Sequence, residues 1–379
     1  MNYRKFFSDD VPSFLRSPVR EIFRKVDLEA ICSFAGGYPA AVTFPVDDIR
    51  SLSSLVLEKY GTRALQYGAT QGVPELRAAL SERYGVGVEN IQITTSSQQG
   101  IDVCTRILVN PGDVVLSNDP TYLGALQSFK AYRARVMGIE EYRTSGLDCA
   151  KFIYVIPDFN NPSGETLTLQ QRQALVDTAR ELDVLIVEDS PYRELRYSGS
   201  PVTSIRELAP ERTLQLGSFS KIFAPGFRLG WIVGPTELLE QIFVCKQCLD
   251  LCPPVFDQYM AAEFLSSGAL DRNLQKSIEE YRRRRDKMLS LLEKYMPEGV
   301  KWTNPEGGLF IWATLPEQID TVALYDKALA AGVAYVAGSF FFVDGSHRNT
   351  MRLNFSFVKE EKMEPGIKIL SELIRNYGK

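Results

Sequence analysis

Six short, mainly apolar runs at 91–94, 114–117, 152–156, 184–187, 213–216 and 229–233 punctuate the chain, and the pattern predicts a strand for each. Between them apolar positions recur at helical spacing. Helices are expected over 48–60, over 74–84 with Pro74 in the first turn, over 98–109 with Ser97 as N-cap, and over 122–132. Another opens at Thr168, whose pairing with Gln171 has capping-box form, and runs to about Leu182. Strands this apolar are buried on both faces. The alternation therefore predicts an α/β domain, a mostly parallel sheet between helices, with any ligand at the carboxyl ends of the strands. Helices over 235–249 and 255–266 and a long one over 270–295 follow. Beyond Pro297 two strands, 309–314 and 351–355, and two helices, 321–331 and 360–377, predict a small α+β domain. Residues 1–46 are broken by Pro12, Pro18, Pro39, Pro45 and the Gly36-Gly37 pair, around one helical pattern at 18–25. An arm with so little core is expected to pack on another lobe or on a partner subunit. The expected division is arm 1–46, contributing to the small domain, large domain 47–275 and small domain 276–379.

Composition narrows the function. The 379 residues are 45% hydrophobic and 24% charged, with a formal net charge of −4. That balance suits a globular chain with a large core and offers no basic surface for nucleic acid. No apolar run is long enough to span a membrane, and the first residues lack an apolar signal core, so a cytoplasmic protein is expected. Six scattered cysteines fit reduced thiols. Cys245, Cys248 and Cys252 fall at i, i+3 and i+7 of an expected helix, but three thiolates without a histidine do not complete a metal site, and they read as small buried residues of one helix face. The single histidine, His347, leaves little room for Ser-His chemistry, so an enzymatic proton carrier has to be another group. Arg282, Arg283, Arg284 and Arg285 point around most of a helix and read as a solvated face rather than a nucleic-acid contact.

Residues 217–231, GSFSKIFAPGFRLGW, hold one lysine among small residues between two expected strands. A lysine on such a loop loses water, which lowers its ammonium pKa and frees the lone pair for condensation with an aldehyde such as pyridoxal phosphate. Ser218, Ser220 and Arg228 can hold a phosphate dianion, the arginine as a fork. Ser97 and Gln98 begin a helix, where backbone N–H groups favour an anion. Taken singly, each has a plainer meaning: Lys221 a surface residue, Ser97 a cap, Asp189 a strand-end turn, Asn161 in Asn-Asn-Pro-Ser-Gly a turn, Tyr122 core, Arg352 half of a structural ion pair.

The whole string resembles the lysine segment of the fold-type I, pyridoxal-phosphate-dependent aminotransferases of class I/II. The likeness runs from about Pro18 to the last helix. Glu188-Asp189-Ser190-Pro191-Tyr192, Asn161-Pro162-Ser163-Gly164 and Ser96-Ser97-Gln98-Gln99-Gly100 match further family segments, although Ser96 stands where the family usually has glycine. The resemblance implies that Lys221 tethers pyridoxal 5'-phosphate and carries the proton, and that Asp189 meets the pyridine nitrogen. Asn161 and Tyr192 would reach the 3-oxygen, Tyr122 would stack on the ring, and Ser97, Gln98, Ser218, Ser220 and Arg228 would hold the phosphate. Tyr67 would cross a homodimer interface to the other subunit's phosphate. Arg352 and backbone near Gly37 would bind the substrate carboxylate, and Asn161 would also touch the substrate. Ser17 to Ile22 and Phe34 to Tyr38 resemble the 2-aminoadipate and kynurenine aminotransferase branch, in which an arginine matching Arg20 lies near the substrate side chain and the arm reaches the active site. The implied reaction moves an amino group from an L-amino acid of 2-aminoadipate, aromatic or branched-chain type to a 2-oxo acid, 2-oxoglutarate in the first place. Two alternatives share the fold: another pyridoxal-phosphate outcome, as in a C–S lyase or a racemase, and the effector domain of a MocR-type regulator. The roughly 45 residues ahead of the large domain are few for the winged helix such a regulator carries.

Overall fold

The computed structural model describes residues 1–14 and 31–378. The helical pattern at 18–25 and Arg20 lie outside the described residues. β1 (Cys32–Ser33) follows the arm's first turns. The central sheet then takes β2 (Ile91–Thr94), β3 (Val114–Ser117), β4 (Arg135–Met137), β5 (Ala150–Val155), β6 (Leu185–Asp189), β7 (Thr213–Ser218) and β8 (Gly230–Val233), in the order β2-β8-β7-β6-β5-β3-β4. Neighbours from β7 to β4 are parallel, whereas β8 is antiparallel to both of its neighbours. The reason lies in the connections. A parallel neighbour needs a crossover of a dozen or more residues, usually helical, and only the loop 219–229 separates β7 from β8. The chain therefore turns straight back, and this loop carries both Lys221 and Arg228.

Every residue of β2, β3, β7 and β8 is buried, as helices on both faces require. The expected helix over 98–109 begins earlier, at Ser96, with Thr95 as its N-cap and no side-chain capping bond, so Ser97 lies inside the first turn. The Thr168–Gln171 capping box is present at the helix Leu169–Glu181. β4 and the short helix Ile139–Ser145 escaped the pattern because β4 is only partly buried and carries Arg135 at its exposed end.

A second sheet follows, built from β9 (Lys301–Trp302), β10 (Phe310–Thr314), β12 (Val336–Ala337) and β13 (Thr350–Asn354) in the antiparallel order β12-β13-β10-β9. β1 pairs in parallel with β11 (Val333–Ala334), next to β12 in the chain. The helix Ala269–Tyr295 joins the sheets, and here one expectation fails. Arg285 is buried, with Nη1 donating to Pro305 O at 2.8 Å, and Arg284 Nη1 donates to Ser356 O and Val358 O at 2.9 and 2.8 Å. These two arginines bind the helix to loops around the second sheet; they are not a solvated face. The cysteine helix face is also corrected. The helix Thr236–Gln247 ends before Cys248, which is exposed, and Leu251 takes a positive φ of 62° just ahead of Cys252. Among the described residues no cluster of His, Cys, Asp and Glu could hold a metal, and no helix is long and apolar enough to cross a membrane.

Candidate active site

The carboxyl ends of β6 and β7 bring the chemistry together. Asp189 is the last residue of β6 and is 2% exposed. Tyr154 of β5 donates its hydroxyl to Asp189 Oδ2 at 2.7 Å, while Oδ1 is buried without a hydrogen-bond partner. Burial pushes this carboxyl from 3.8 up to about 7, against the lowering effect of the Tyr154 bond. Without a cationic neighbour it is therefore poised between acid and carboxylate at neutral pH, not fully ionised.

Lys221, on the turn after β7, donates Nζ to Gly37 O at 2.8 Å and lies 5.9 Å from the centre of the Tyr192 ring. Desolvation, then the charges of Arg352 and Arg228, pull its ammonium down to about 8. Tyr192 feels Tyr122, Arg352 and Asp189 through space and hydrogen-bonds Asn161, and burial raises its phenol above the ordinary value. Arg352 on β13 donates Nη1 to Asn161 Oδ1 and Nη2 to Ala35 O, both at 2.7 Å. Its guanidinium lies over the rings of Phe310 and Phe341 at 4.3 and 5.1 Å, and its Nε has no partner. Burial lowers it to about 10, which leaves it a cation at neutral pH. Gly37 leaves little room for a side chain: a Cβ there would stand 3.3 Å from the Phe310 ring, which would have to shift by a few tenths of an ångström.

The helix Ser96–Leu108 supplies the other wall. Tyr122 Oη donates to Gln98 Oε1 at 3.2 Å, and Gln98 Nε2 donates to Gly124 O at 3.0 Å. Arg228, in a left-handed conformation with φ 51°, donates Nη2 to Ser96 Oγ at 2.6 Å. Ser218 Oγ accepts from Ser220 N at 3.2 Å. Ser218 also lines a cavity of about 250 Å³ with Arg83, Arg206 and Trp231, which Lys221 does not line. Tyr67 stands apart from this group in character, 78% exposed.

Three contributors had not been singled out: Tyr154, the Ala35 carbonyl, and the Phe310–Phe341 pair. Tyr154 left a readable signal, because a tyrosine inside an otherwise apolar strand brings a hydroxyl that needs a buried partner. The other two depend on how β1 and the second sheet pack.

The cofactor can be tested against this geometry. A buried carboxylate oxygen with no partner suits a protonated ring nitrogen, a lysine amine with a lowered pKa suits an aldehyde, and Arg228 beside a helix start suits a phosphate. Fold and site together define a pyridoxal-phosphate enzyme of fold type I. The chain belongs to the aminotransferase class I and II family, whose model matches residues 44–370. It is 44% identical to aromatic-amino-acid aminotransferase 1 of Thermococcus litoralis, over 99% of this chain and 95% of that one. It is 33% identical to the 2-aminoadipate transaminase of Thermus thermophilus, over 99% and 98%. Its fold matches the crystal structure of Pyrococcus horikoshii kynurenine aminotransferase with a TM-score of 0.95 at 42% identity, covering 100% and 99% of the two chains. The protein is thus an aminotransferase that works with pyridoxal 5'-phosphate.

Proposed function

We propose that the amino donor is an L-amino acid with an aromatic or 2-aminoadipate-like side chain, and that the acceptor is 2-oxoglutarate. The observation that carries the donor reading is Arg352: a buried guanidinium whose hydrogen-bonded acceptors are the neutral Asn161 and Ala35 oxygens, set against two aromatic rings. A buried cation of this kind calls for an anionic partner, and a substrate α-carboxylate answers it. The names of the aromatic-amino-acid, kynurenine and 2-aminoadipate relatives support the side-chain class. Branched-chain donors belong in the same test. The arm, with Arg20, is proposed to meet the substrate side chain.

Pyridoxal phosphate supplies an aldehyde and an electron-withdrawing ring that accepts charge when the substrate Cα loses its proton. The residues around it divide the remaining work. Lys221 Nζ would take the proton from the substrate Cα and give it back at the carbon of the former aldehyde, which its lowered pKa favours. Asp189 would keep the ring nitrogen protonated. Asn161 and Tyr192 would hold the 3-oxygen, and Tyr122 would lie against the ring. Ser97, Gln98, Ser218, Ser220 and Arg228 would hold the phosphate, with Tyr67 of a second subunit. Gly37 and Arg352 orient the substrate. The division at 46/47 and 275/276 is retained in this reading, supported at the arm by the β1–β11 pairing. A cytoplasmic location goes with it.

A panel of aromatic, 2-aminoadipate and branched-chain donors with 2-oxoglutarate tests the reading. Aromatic donors or 2-aminoadipate should give one glutamate for each 2-oxo acid formed. Ammonia in place of glutamate would point to elimination, and turnover confined to branched-chain donors would overturn the proposed side-chain class. Lys221→Ala should be slower by on the order of 10²–10⁴-fold, as for other lost general bases.

A further inference from the structure

Ser96 occupies a conformation that a serine does not favour. Its φ is 71°, in the left-handed region where a Cβ is strained and glycine is not. It is also 3% exposed, and it opens a helix. The surroundings hold it there. Thr94 Oγ1 donates to Ser96 O at 3.0 Å; Thr95 Oγ1 and Gln99 Nε2 both donate to Asp250 Oδ2, at 2.9 and 2.8 Å. On the other side the backbone of β8 presses close: a Cβ on Gly230 would lie 2.7 Å from Ser96 C and 2.8 Å from Ser97 N. Strain of this kind persists where the surroundings over-determine it, and it gathers at sites that use it.

The side chain does one visible thing. Ser96 Oγ accepts from Arg228 Nη2 at 2.6 Å, and Arg228 is itself left-handed, with φ 51°. Two residues in unusual backbone conformations thus meet through their side chains at the start of a helix. The other Arg228 contact, Nη1 to Pro225 O at 3.3 Å, is also to a neutral oxygen, so neither acceptor neutralises the guanidinium. A hydroxyl that accepts from arginine keeps its own proton for donation to a nearby anion.

We propose that Ser96 is a positioning residue for the phosphate of the cofactor: its hydroxyl fixes the Arg228 fork at the helix start and adds a donor to the phosphate cup. The proposal rests on the reading of Arg228 as a phosphate ligand and deepens it. It also gives the departure from the family's usual glycine a physical purpose, because the hydroxyl is what the strained backbone carries.

The test compares pyridoxal phosphate with pyridoxal, which has the same ring and aldehyde and no phosphate. Affinities are titrated on the full-length enzyme after removal and re-addition of cofactor. Ser96→Ala and Ser96→Gly should each bind pyridoxal phosphate about tenfold more weakly, the scale of a hydrogen bond to a charged group, with pyridoxal affinity unchanged. At saturating cofactor the KM for the amino donor should not move. Ser96→Gly removes the strained Cβ and should unfold no earlier than Ser96→Ala, so it keeps the measurement available if the alanine variant folds poorly. Pyridoxal phosphate affinity within about twofold of wild type in the glycine variant, or an equal loss for pyridoxal, overturns the proposal. Arg228→Ala separates the layers. If it removes the preference for pyridoxal phosphate over pyridoxal while the Ser96 variants keep it, only the role of Ser96 fails. If Arg228→Ala also keeps the preference, the phosphate cup itself has been misassigned.

Discussion

Lys221 and Asp189 are shifted in opposite senses by one cause. Burial disfavours charge, so the ammonium falls to about 8 and the carboxyl rises to about 7. For Lys221 the consequence is kinetic. In cofactor-free enzyme, uptake of pyridoxal phosphate should accelerate as pH rises and level off above about 8, where the amine is free. Arg352→Ala removes a cation that disfavours the ammonium, so the midpoint should move to higher pH; absorbance of the bound cofactor reports both, and a midpoint that stays fixed would contradict the electrostatics. For Asp189 the consequence is stability. A carboxyl raised in the fold above its unfolded value binds an extra proton when folded, so its contribution is fully present below about 4 and is lost as pH rises through about 7. Cofactor-free Asp189→Asn should therefore resist urea better than cofactor-free wild type at about pH 8, by a few kcal/mol at most, with the gap closing toward about pH 4. The same variant should bind pyridoxal phosphate less well. Both residues were legible in the sequence because the loop 217–231 and the strand end 188–192 are local strings. Tyr154, which steadies Asp189 from the neighbouring strand, showed in the sequence only as a hydroxyl in need of a buried partner; that the partner is Asp189 depends on β5 lying beside β6.

At the scale of elements, the site depends on how closely β8 can lie against the start of the helix Ser96–Leu108. Gly230 permits that approach. An added Cβ would meet backbone on every side: Gly217 O and Ser96 C at 2.7 Å and Ser97 N at 2.8 Å. Backbone cannot swing aside as a side chain does, so Gly230→Ala should cost on the order of 1–3 kcal/mol, the usual range for overpacking, and should weaken cofactor binding as the helix start is displaced. Urea unfolding and a pyridoxal phosphate titration measure the two effects, and an alanine variant with native stability and affinity would show that this packing is looser than it looks. The strands that flank the site were foreseeable from their apolar runs. The reversed direction of β8 was not, because an apolar run carries no arrow; the short connection after β7 decides it. The basic run shows the same limit. Four successive arginines have a solvated look in sequence, yet Arg284 and Arg285 satisfy loop carbonyls that only tertiary packing brings to them.

For the whole molecule, the question is whether one chain completes its own site. Tyr67 is 78% exposed and nearby Leu65 is 71% exposed, so two large side chains close together in sequence stand uncovered. We propose that a second copy covers them and that Tyr67 serves the partner's phosphate. Sedimentation should then report twice 42.6 kDa. Mass alone does not show that the site is shared, but mixed variants do. When Lys221→Ala and Tyr67→Ala subunits pair, a tyrosine acting across the interface leaves one site with both defects and one with neither. A tyrosine acting within its own chain leaves one defect in each site. Mixing the two weakened proteins under exchanging conditions should therefore raise activity above the mean of the two, to about a quarter of wild type when each alone is inactive and pairing in a twofold dimer is random. No gain on mixing, in a preparation shown to exchange subunits, would confine Tyr67 to its own chain.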